Sequence, residues 1–322
     1  MQVSIAMATY NGADYVVAQL QSFVDQTRQP DEVVITDDRS SDNTVALIEE
    51  FAKTAPFDMR VSVNDKNLRY AGNFNAALSG TSGDLVFLSD QDDVWFPEKI
   101  AHMVSLAEKS PDYFIYMNDA LLTDGDLNSV NLTKYGQIKS AGLSDDSFVM
   151  GCCCAIRREF LDIVLPIPAK LKAHDNWLAE IADGLDAKLI DPTVLQYYRR
   201  HGKNESQFIA NRLTKVNKWS MRWQGMRSAF KPKSHEDFAS NLAQMQFFIN
   251  GLQNLMPNVP LALAPKFNAM IEARQQKFKV AQARADIRQS TILKRIPKAL
   301  KLYKNGYPKK TRLKNMIRDI LG

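Results

Sequence analysis

The sequence predicts an α/β protein, with a mostly parallel central sheet flanked by helices and an α-helical C-terminal region. Three observations carry this expectation. Short apolar runs alternate with helix-period segments through the first hundred residues, the pattern of strands and covering helices. Those runs end in polar or acidic residues, where open α/β sheets bind their ligands. Beyond about Ser206 the strand signals vanish and helix formers dominate.

Taken in order, Val3–Ala8 reads as the first strand, turning at Asn11-Gly12 into a helix from Asp14 to about Gln26. Val33–Thr36 is a second strand that ends in Asp37-Asp38, and Asp42 looks like the cap of the next helix. Met59–Val63 and Asp84–Ser89 read as strands three and four, with a short helix at Ala71–Ser79 between them. Tyr113–Asn118, Phe148–Ile156, Lys188–Asp191 and Leu195–Tyr198 are further strand candidates. Helices are expected at Arg157–Val164 and from Ala173 to about Ala182. Breaks at Lys231–Ser234 and Pro257–Pro260 divide the C-terminal part into three or four helices, the last two short and basic (Ile292–Tyr303 and Lys309–Leu321). The motifs place a domain at residues 1–205 and a helical region at 206–322.

With 322 residues, 45% of them hydrophobic, the chain has ample material for a core. It shows no apolar run long enough to span a bilayer, and its N-terminus does not read as a signal peptide. Cys152, Cys153 and Cys154 are adjacent, a spacing that suits neither a zinc site nor a disulfide framework. They read as buried small residues in a reducing, cytoplasmic compartment. Neither a Walker loop nor a dinucleotide fingerprint is present. The charge is uneven: from Lys277 onward fourteen Lys/Arg face two acids, a net of +12, against −7 for the preceding residues. Thr291-Ile292-Leu293, Ile296, Leu300 and Tyr303 recur near helical spacing, with Lys294, Arg295, Lys298, Lys301 and Lys304 between them. Such a helix suits an anionic membrane surface or a solvated face packed on its neighbours. Nucleic acid is not expected, since the tail has few aromatics and no recognisable module.

The chemistry centres on Leu85–Leu88 running into Asp90-Gln91-Asp92-Asp93. Three carboxylates at the end of a buried strand repel one another and lose hydration. A divalent cation held by oxygen ligands would relieve that cost, and a solvated acidic loop would avoid it. Thr9-Tyr10-Asn11-Gly12 and Asp37-Asp38 close two other strands, so polar groups from three strands converge on one rim.

In order, Ala8–Gly12, Asp37–Asp42, Ser89-Asp90-Gln91-Asp92-Asp93-Val94-Trp95, Gly151, His174-Asp175-Asn176-Trp177 and Tyr198–Asn204 resemble family 2 glycosyltransferases of the GT-A fold. The resemblance covers roughly residues 1–205 and is strongest to bacterial rhamnosyltransferases. It implies that Thr9, Tyr10 and Asn11 wrap the base and ribose of a nucleoside-diphosphate sugar, dTDP- or UDP-linked. Asp38, with Asp37 beside it, would accept the pyrimidine ring N–H, and Arg69 would contact the nucleotide. Asp90, with Gln91 next to it, would lie near the ribose, while Asp92 would hold Mg²⁺ or Mn²⁺. His201 would add a metal or diphosphate contact, within a positive cluster of Arg199, Arg200 and Lys203. Asp175 falls at the position of the family's base, though an aspartate there also suits a helix N-cap. The motif begins with His174 where many relatives carry glutamate, which leaves acceptor recognition open. Asp93 stays unassigned between sugar, metal and a helix cap, and His102 and His235 lie outside every motif.

These implications describe an inverting, metal-dependent transferase moving a sugar, rhamnose above others, onto a lipid-linked cell-surface saccharide. It would work peripherally at the inner face of the cytoplasmic membrane. The alternative is a non-catalytic nucleotide-sugar-binding or scaffold protein of a polysaccharide assembly complex.

Overall fold

The computed structural model describes residues 1–202, 204, 208–221, 223, 235–307 and 312–321. The chain divides into two compact units, Met1–Met221 and Arg222–Gly322.

The first unit is built on a nine-stranded sheet. Its N-terminal half comprises β1 (Val3–Thr9), β2 (Glu32–Asp37), β3 (Asp58–Val63) and β4 (Leu85–Ser89), all parallel in the spatial order β3-β2-β1-β4. Helices α1 (Val16–Val24), α2 (Thr44–Ala52) and α3 (Arg69–Gly80) make the crossovers. β1, β2 and β4 are almost wholly buried, as expected of strands covered on both faces. Beyond β4 the sheet becomes mixed. The two-residue β5 (Val94–Trp95), β6 (Ile115–Thr123), β7 (Ser129–Thr133), β8 (Cys154–Arg157) and β9 (Lys188–Arg199) extend it in the order β4-β8-β6-β9-β5, with β7 on β6. β8 runs antiparallel to both β4 and β6, while β9 runs parallel to β6. The two strands expected at Lys188–Asp191 and Leu195–Tyr198 are thus one, irregular in register against β6 around Asp119. The cysteine segment is a strand only from Cys154, preceded by a 3₁₀ turn at Gly151–Cys153, and all three thiols are buried and free.

The remaining helices of this unit are α4 (Lys99–Lys109), α5 (Lys134–Ala141), α6 (Arg158–Val164) and α7 (His174–Gly184). The core packs Ile5, Met7, Leu20, Phe23, Ile35 and Phe87 with Trp95, whose ring lies 4.8 Å from Phe23. The unit continues past residue 205 because Ile209 and Val216 bury against Ala141 of α5. Gln137 stitches the same segment down, donating to the carbonyls of Arg212 (3.0 Å) and Thr214 (2.9 Å).

The second unit is helical, with α8 (His235–Leu255), α9 (Ala264–Gln289), α10 (Ile292–Asn305) and α11 (Arg312–Leu321). Phe248, Leu252, Phe267 and Ile271 are buried within it. The expected break at Pro257–Pro260 is a 3₁₀ turn over Met256–Asn258. The break at Lys231–Ser234 lies outside the described residues, as do Ser206 and Lys309. Among the described residues, no helix is long and apolar enough to cross a membrane.

Candidate active site

The carboxyl ends of β1 and β2 are tied into one rim. Thr9 Oγ1 donates to Asp37 Oδ2 (2.7 Å), and Asp37 also accepts from the amide (2.7 Å) and hydroxyl (2.6 Å) of Ser40. Asp37 is fully buried, so its acceptors serve the turn rather than an open face. Asp38 takes its side-chain bonds on Oδ1, from Asn64 Nδ2 (3.0 Å) and the Leu68 amide (2.7 Å). Among the described residues Oδ2 carries no such bond. Buried Asn73 holds the same corner, donating to the Thr9 carbonyl at 3.0 Å. Asn11, Arg39 and Arg69 all have positive φ (48°, 66° and 59°) on this side of the sheet. For arginine that backbone costs about 1–2 kcal/mol, the kind of strain that gathers where a loop is shaped for a ligand. Arg69 is exposed at the start of α3.

Gln91 clamps the β1 turn to the acidic loop. It accepts from the Tyr10 amide (2.8 Å), donates to the Tyr10 carbonyl (3.1 Å), and lies so close over Gly12 that a β-carbon there would sit 2.3 Å from its Oε1. Tyr10 itself is half exposed at the rim.

Each of the three acids has its own role. Asp92 Oδ2 lies 2.7 Å from His201 Nε2 and accepts from Asn204 Nδ2 at 3.1 Å. His201 is stacked on Tyr15, ring centroids 4.6 Å apart. Asp93 is fully buried and bonds to β9, accepting from Gln196 Nε2 (2.9 Å) and the Arg199 amide (3.2 Å). It caps no helix: α4 begins at Lys99, with Glu98 at its cap position. Asp90 is half-buried, and its carboxyl is pushed up to about 7, by burial first and then by the charges of Asp92 and Asp175. Burial also pushes Asp93 well above the usual carboxylate range, again with Asp92 and Asp90 adding to it.

Asp175 reaches this cluster from the first turn of α7. The cap position belongs to Ala173, and Asp175 Oδ1 accepts from the Asn176 amide at 2.9 Å. It is therefore not the N-cap. Gly151 is what lets α7 approach: a β-carbon there would meet His174 Nε2 at 2.8 Å and Asp175 Cβ at 3.7 Å. His174 is buried, stacked on Phe74 at 4.0 Å, and held neutral by burial despite the Asp175 charge.

Asp90, Asp92 and Asp175 thus form a like-charge group in which one carboxyl has already been forced toward its neutral form. Crowded carboxylates of this kind favour a bound cation, and the Asp92–His201 pair offers an oxygen and an imidazole nitrogen side by side, a fit for Mn²⁺ or Mg²⁺. Asp90, Asp93 and Cys152 also place ligand atoms within 4.8 Å of one another. That trio suits a hard cation poorly. Asp93 is committed to Gln196 and Arg199, and burial drives the Cys152 thiol well above its usual range, holding it protonated.

Of the positive cluster, Arg199 is buried and committed. It donates to the carbonyls of Asp92 (2.8 Å) and Gly125 (2.7 Å) and lies over the Tyr15 ring at 4.9 Å. Lys203 lies outside the described residues. Tyr15, Asn73 and Lys99 belong to none of the sequence motifs. Lys99 is a fully buried amine bonded to Gln196 and to the Cys152 carbonyl (2.9 Å), 4.0 Å over the Trp95 ring. Its only signal was its place two residues after Pro97 in an otherwise apolar helix start.

Residues 4–164, half of the chain, match the family model described as glycosyl transferase family 2. The chain belongs to this family. Among curated relatives it is similar to an uncharacterised glycosyltransferase of Nostoc, alr2836, at 28% identity over 66% of this chain and 68% of the relative. It is also similar to the Escherichia coli UDP-Glc:α-D-GlcNAc-diphosphoundecaprenol β-1,3-glucosyltransferase WfaP (28%; 63% of this chain, 79% of that). A shorter match, 33% over 30% of this chain and 35% of the relative, is to the Shigella flexneri dTDP-rhamnosyl transferase RfbG. Other relatives are matched over only about half their length, 44% and 48%. Two solved structures share the fold. Staphylococcus aureus TarS 1–349 in complex with UDP-GlcNAc has a TM-score of 0.57 at 17% identity, over 99% of this chain and 88% of that one. The Pyrobaculum calidifontis mannosyltransferase PcManGT, in complex with GDP-Man and Mn²⁺, scores 0.50 at 18%, over 99% and 86%. The family 2 glycosyltransferase is thus a GT-A-like mixed α/β sheet followed by a helical C-terminal region.

Proposed function

We propose that this protein is an inverting, metal-dependent glycosyltransferase that moves rhamnose from dTDP-rhamnose onto a lipid-linked polysaccharide precursor at the inner face of the cytoplasmic membrane. The observation that carries the reading is the convergence of Asp90, Asp92, Asp175 and His201 beyond the carboxyl end of β4, beside a rim that holds the buried Asp38, 2% exposed. The donor nucleotide lies along that rim. Asp38 Oδ2 accepts the ring N–H that uracil or thymine presents, Thr9, Tyr10 and Asn11 border base and ribose, and Arg69 supplies a positive contact. Asp90 and Gln91 flank the ribose. Asp92 and His201 hold Mn²⁺ or Mg²⁺, which when bound neutralises charge on the departing nucleoside diphosphate.

Asp175 removes the proton from the acceptor hydroxyl as that oxygen attacks the anomeric carbon from the face opposite the nucleotide. The new glycosidic bond forms as the bond to the diphosphate breaks, so the configuration inverts. The acceptor proton becomes acidic enough for a carboxylate to take in the transition state. The dTDP-rhamnose preference draws support from the similarity to RfbG, and the lipid-linked acceptor from the name of WfaP.

The test screens dTDP-rhamnose and UDP-sugars for transfer and compares Asp175→Asn and Asp92→Asn. Asp175→Asn lowers kcat by about 10²–10⁴-fold with nucleotide affinity retained, whereas Asp92→Asn weakens Mn²⁺-dependent nucleotide binding by calorimetry. Full transfer by Asp175→Asn overturns the assignment of the base. Nucleotide binding without transfer from any donor favours the scaffold instead.

A further inference from the structure

The last two helices carry a feature that the transfer reaction does not use. In α10 the apolar residues Ile292, Leu293, Ile296 and Leu300 are between 49% and 84% exposed. At helical spacing they fall within one arc of roughly 100°. Lys304, Lys301, Lys294 and Lys298 continue round the helix, all exposed. The packing face lies elsewhere. Ala299 is buried, and Arg295 donates to the carbonyls of Ser290 (3.0 Å), Arg288 (2.9 Å) and Ile320 (3.3 Å).

α11 repeats the arrangement. Leu313, Ile317 and Leu321 recur every fourth residue and are 45% to 76% exposed, with Lys314 and Arg318 alongside. Its inner face is fixed by Asp319, which is fully buried and paired with Arg284 (2.7 Å) and Arg288 (2.6 Å) of α9. That bond uses the one acid between residues 291 and 322, so no carboxylate faces outward on either helix.

We propose that α10 and α11 form a preformed docking surface for an anionic lipid bilayer. The two leucine/isoleucine stripes enter the acyl boundary while the flanking lysines reach up to the headgroups. The chemistry favours a bilayer over a protein partner. The stripes are mainly aliphatic, and every charged side chain exposed on either helix is a cation. The purpose rests on the lipid-linked acceptor proposed above, but the argument from exposure and charge does not.

The test is flotation of the full-length protein with phosphatidylcholine vesicles, with and without phosphatidylglycerol. Binding is expected only with phosphatidylglycerol and weakens as salt is raised. Leu293→Gln/Ile296→Gln/Leu300→Gln lowers vesicle binding by about tenfold or more, and Lys294→Gln/Lys301→Gln/Lys304→Gln does the same through charge. Both variants keep the wild-type circular dichroism, since the substituted side chains are exposed. Equal binding to neutral vesicles overturns the proposal, and so does unaltered binding by the triple apolar variant. A concentration-dependent dimer lost in that variant, without vesicle binding by wild type, assigns the stripes to a second copy and also overturns it. Donor turnover measured without vesicles separates the two readings. Flotation without turnover sinks the transferase reading alone, and turnover without flotation sinks the docking surface alone.

Discussion

Asn204 joins three parts of the candidate site. Its amide nitrogen donates to Asp92 Oδ2 (3.1 Å) and the Arg199 carbonyl (3.3 Å), and its Oδ1 accepts from the His201 amide (2.6 Å). It therefore orients both residues proposed to hold the cation without being a ligand. Asn204→Ala is expected to weaken Mn²⁺-supported nucleotide binding by about 10–100-fold, as losses behind a metal site do. Nucleotide affinity measured without metal should hardly move, and calorimetry in both conditions checks the difference. Arg199 is the companion case. Arg199→Lys keeps the charge but cannot serve both the Asp92 and Gly125 carbonyls while lying on Tyr15. A stability loss of about 2 kcal/mol is expected in urea titrations. These residues also show what was legible. Asp92, Asp175 and His201 stand in motifs whose residue types declare their chemistry. Tyr15, Asn73 and Lys99 do not, because a tyrosine, an asparagine and a lysine near turns look like surface until the fold stacks the first on His201 and buries the other two.

At the scale of elements, Glu32 at the start of β2 joins three strands. It accepts from Ser4 Oγ of β1 (2.5 Å), from the amide (2.5 Å) and hydroxyl (3.0 Å) of Ser82 before β4, and from Arg60 of β3. Burial alone would raise its pKa, but these donors outweigh it and hold the carboxyl at about 2. The native state thus binds the proton less readily than the unfolded chain. The stabilisation, about 3 kcal/mol from the shift, is complete above pH 4.5 and is lost as pH falls toward 2. Glu32→Gln should therefore lower the urea midpoint at pH 7, and its difference from wild type should shrink to near zero by pH 2. A difference that stays constant with pH would argue against the charge. The parallel half of the sheet was readable because each strand is a buried apolar run. β5 and β7 were not: one has two residues, and the other, Ser129–Thr133, is a polar edge strand with no apolar run. The mixed direction beyond β4 has no signature in periodicity, since a strand reads the same either way.

For the whole molecule, charge and packing divide along the chain much as the composition does. The first unit brings Asp90, Asp92 and Asp175 together, while the second closes its helices with a single buried acid between two arginines. Asp319→Ala leaves Arg284 and Arg288 without that acid inside the second unit, and breaking a buried pair this way costs about 3–5 kcal/mol. The cost falls on the docking of α11 against α9. Amide hydrogen exchange over residues 312–321 should speed up by at least about 100-fold, the equivalent of roughly 3 kcal/mol. The helices of the sheet unit should keep their protection. Calorimetry with dTDP and Mn²⁺ should give the wild-type affinity, because no residue of the rim from Thr9 to His201 belongs to the second unit. Vesicle binding should weaken, since the stripe of Leu313, Ile317 and Leu321 is presented only while Asp319 holds the opposite face. If nucleotide binding fell together with α11 protection, the two units would be energetically coupled, and the helical region would be part of the catalytic apparatus rather than its means of reaching a surface.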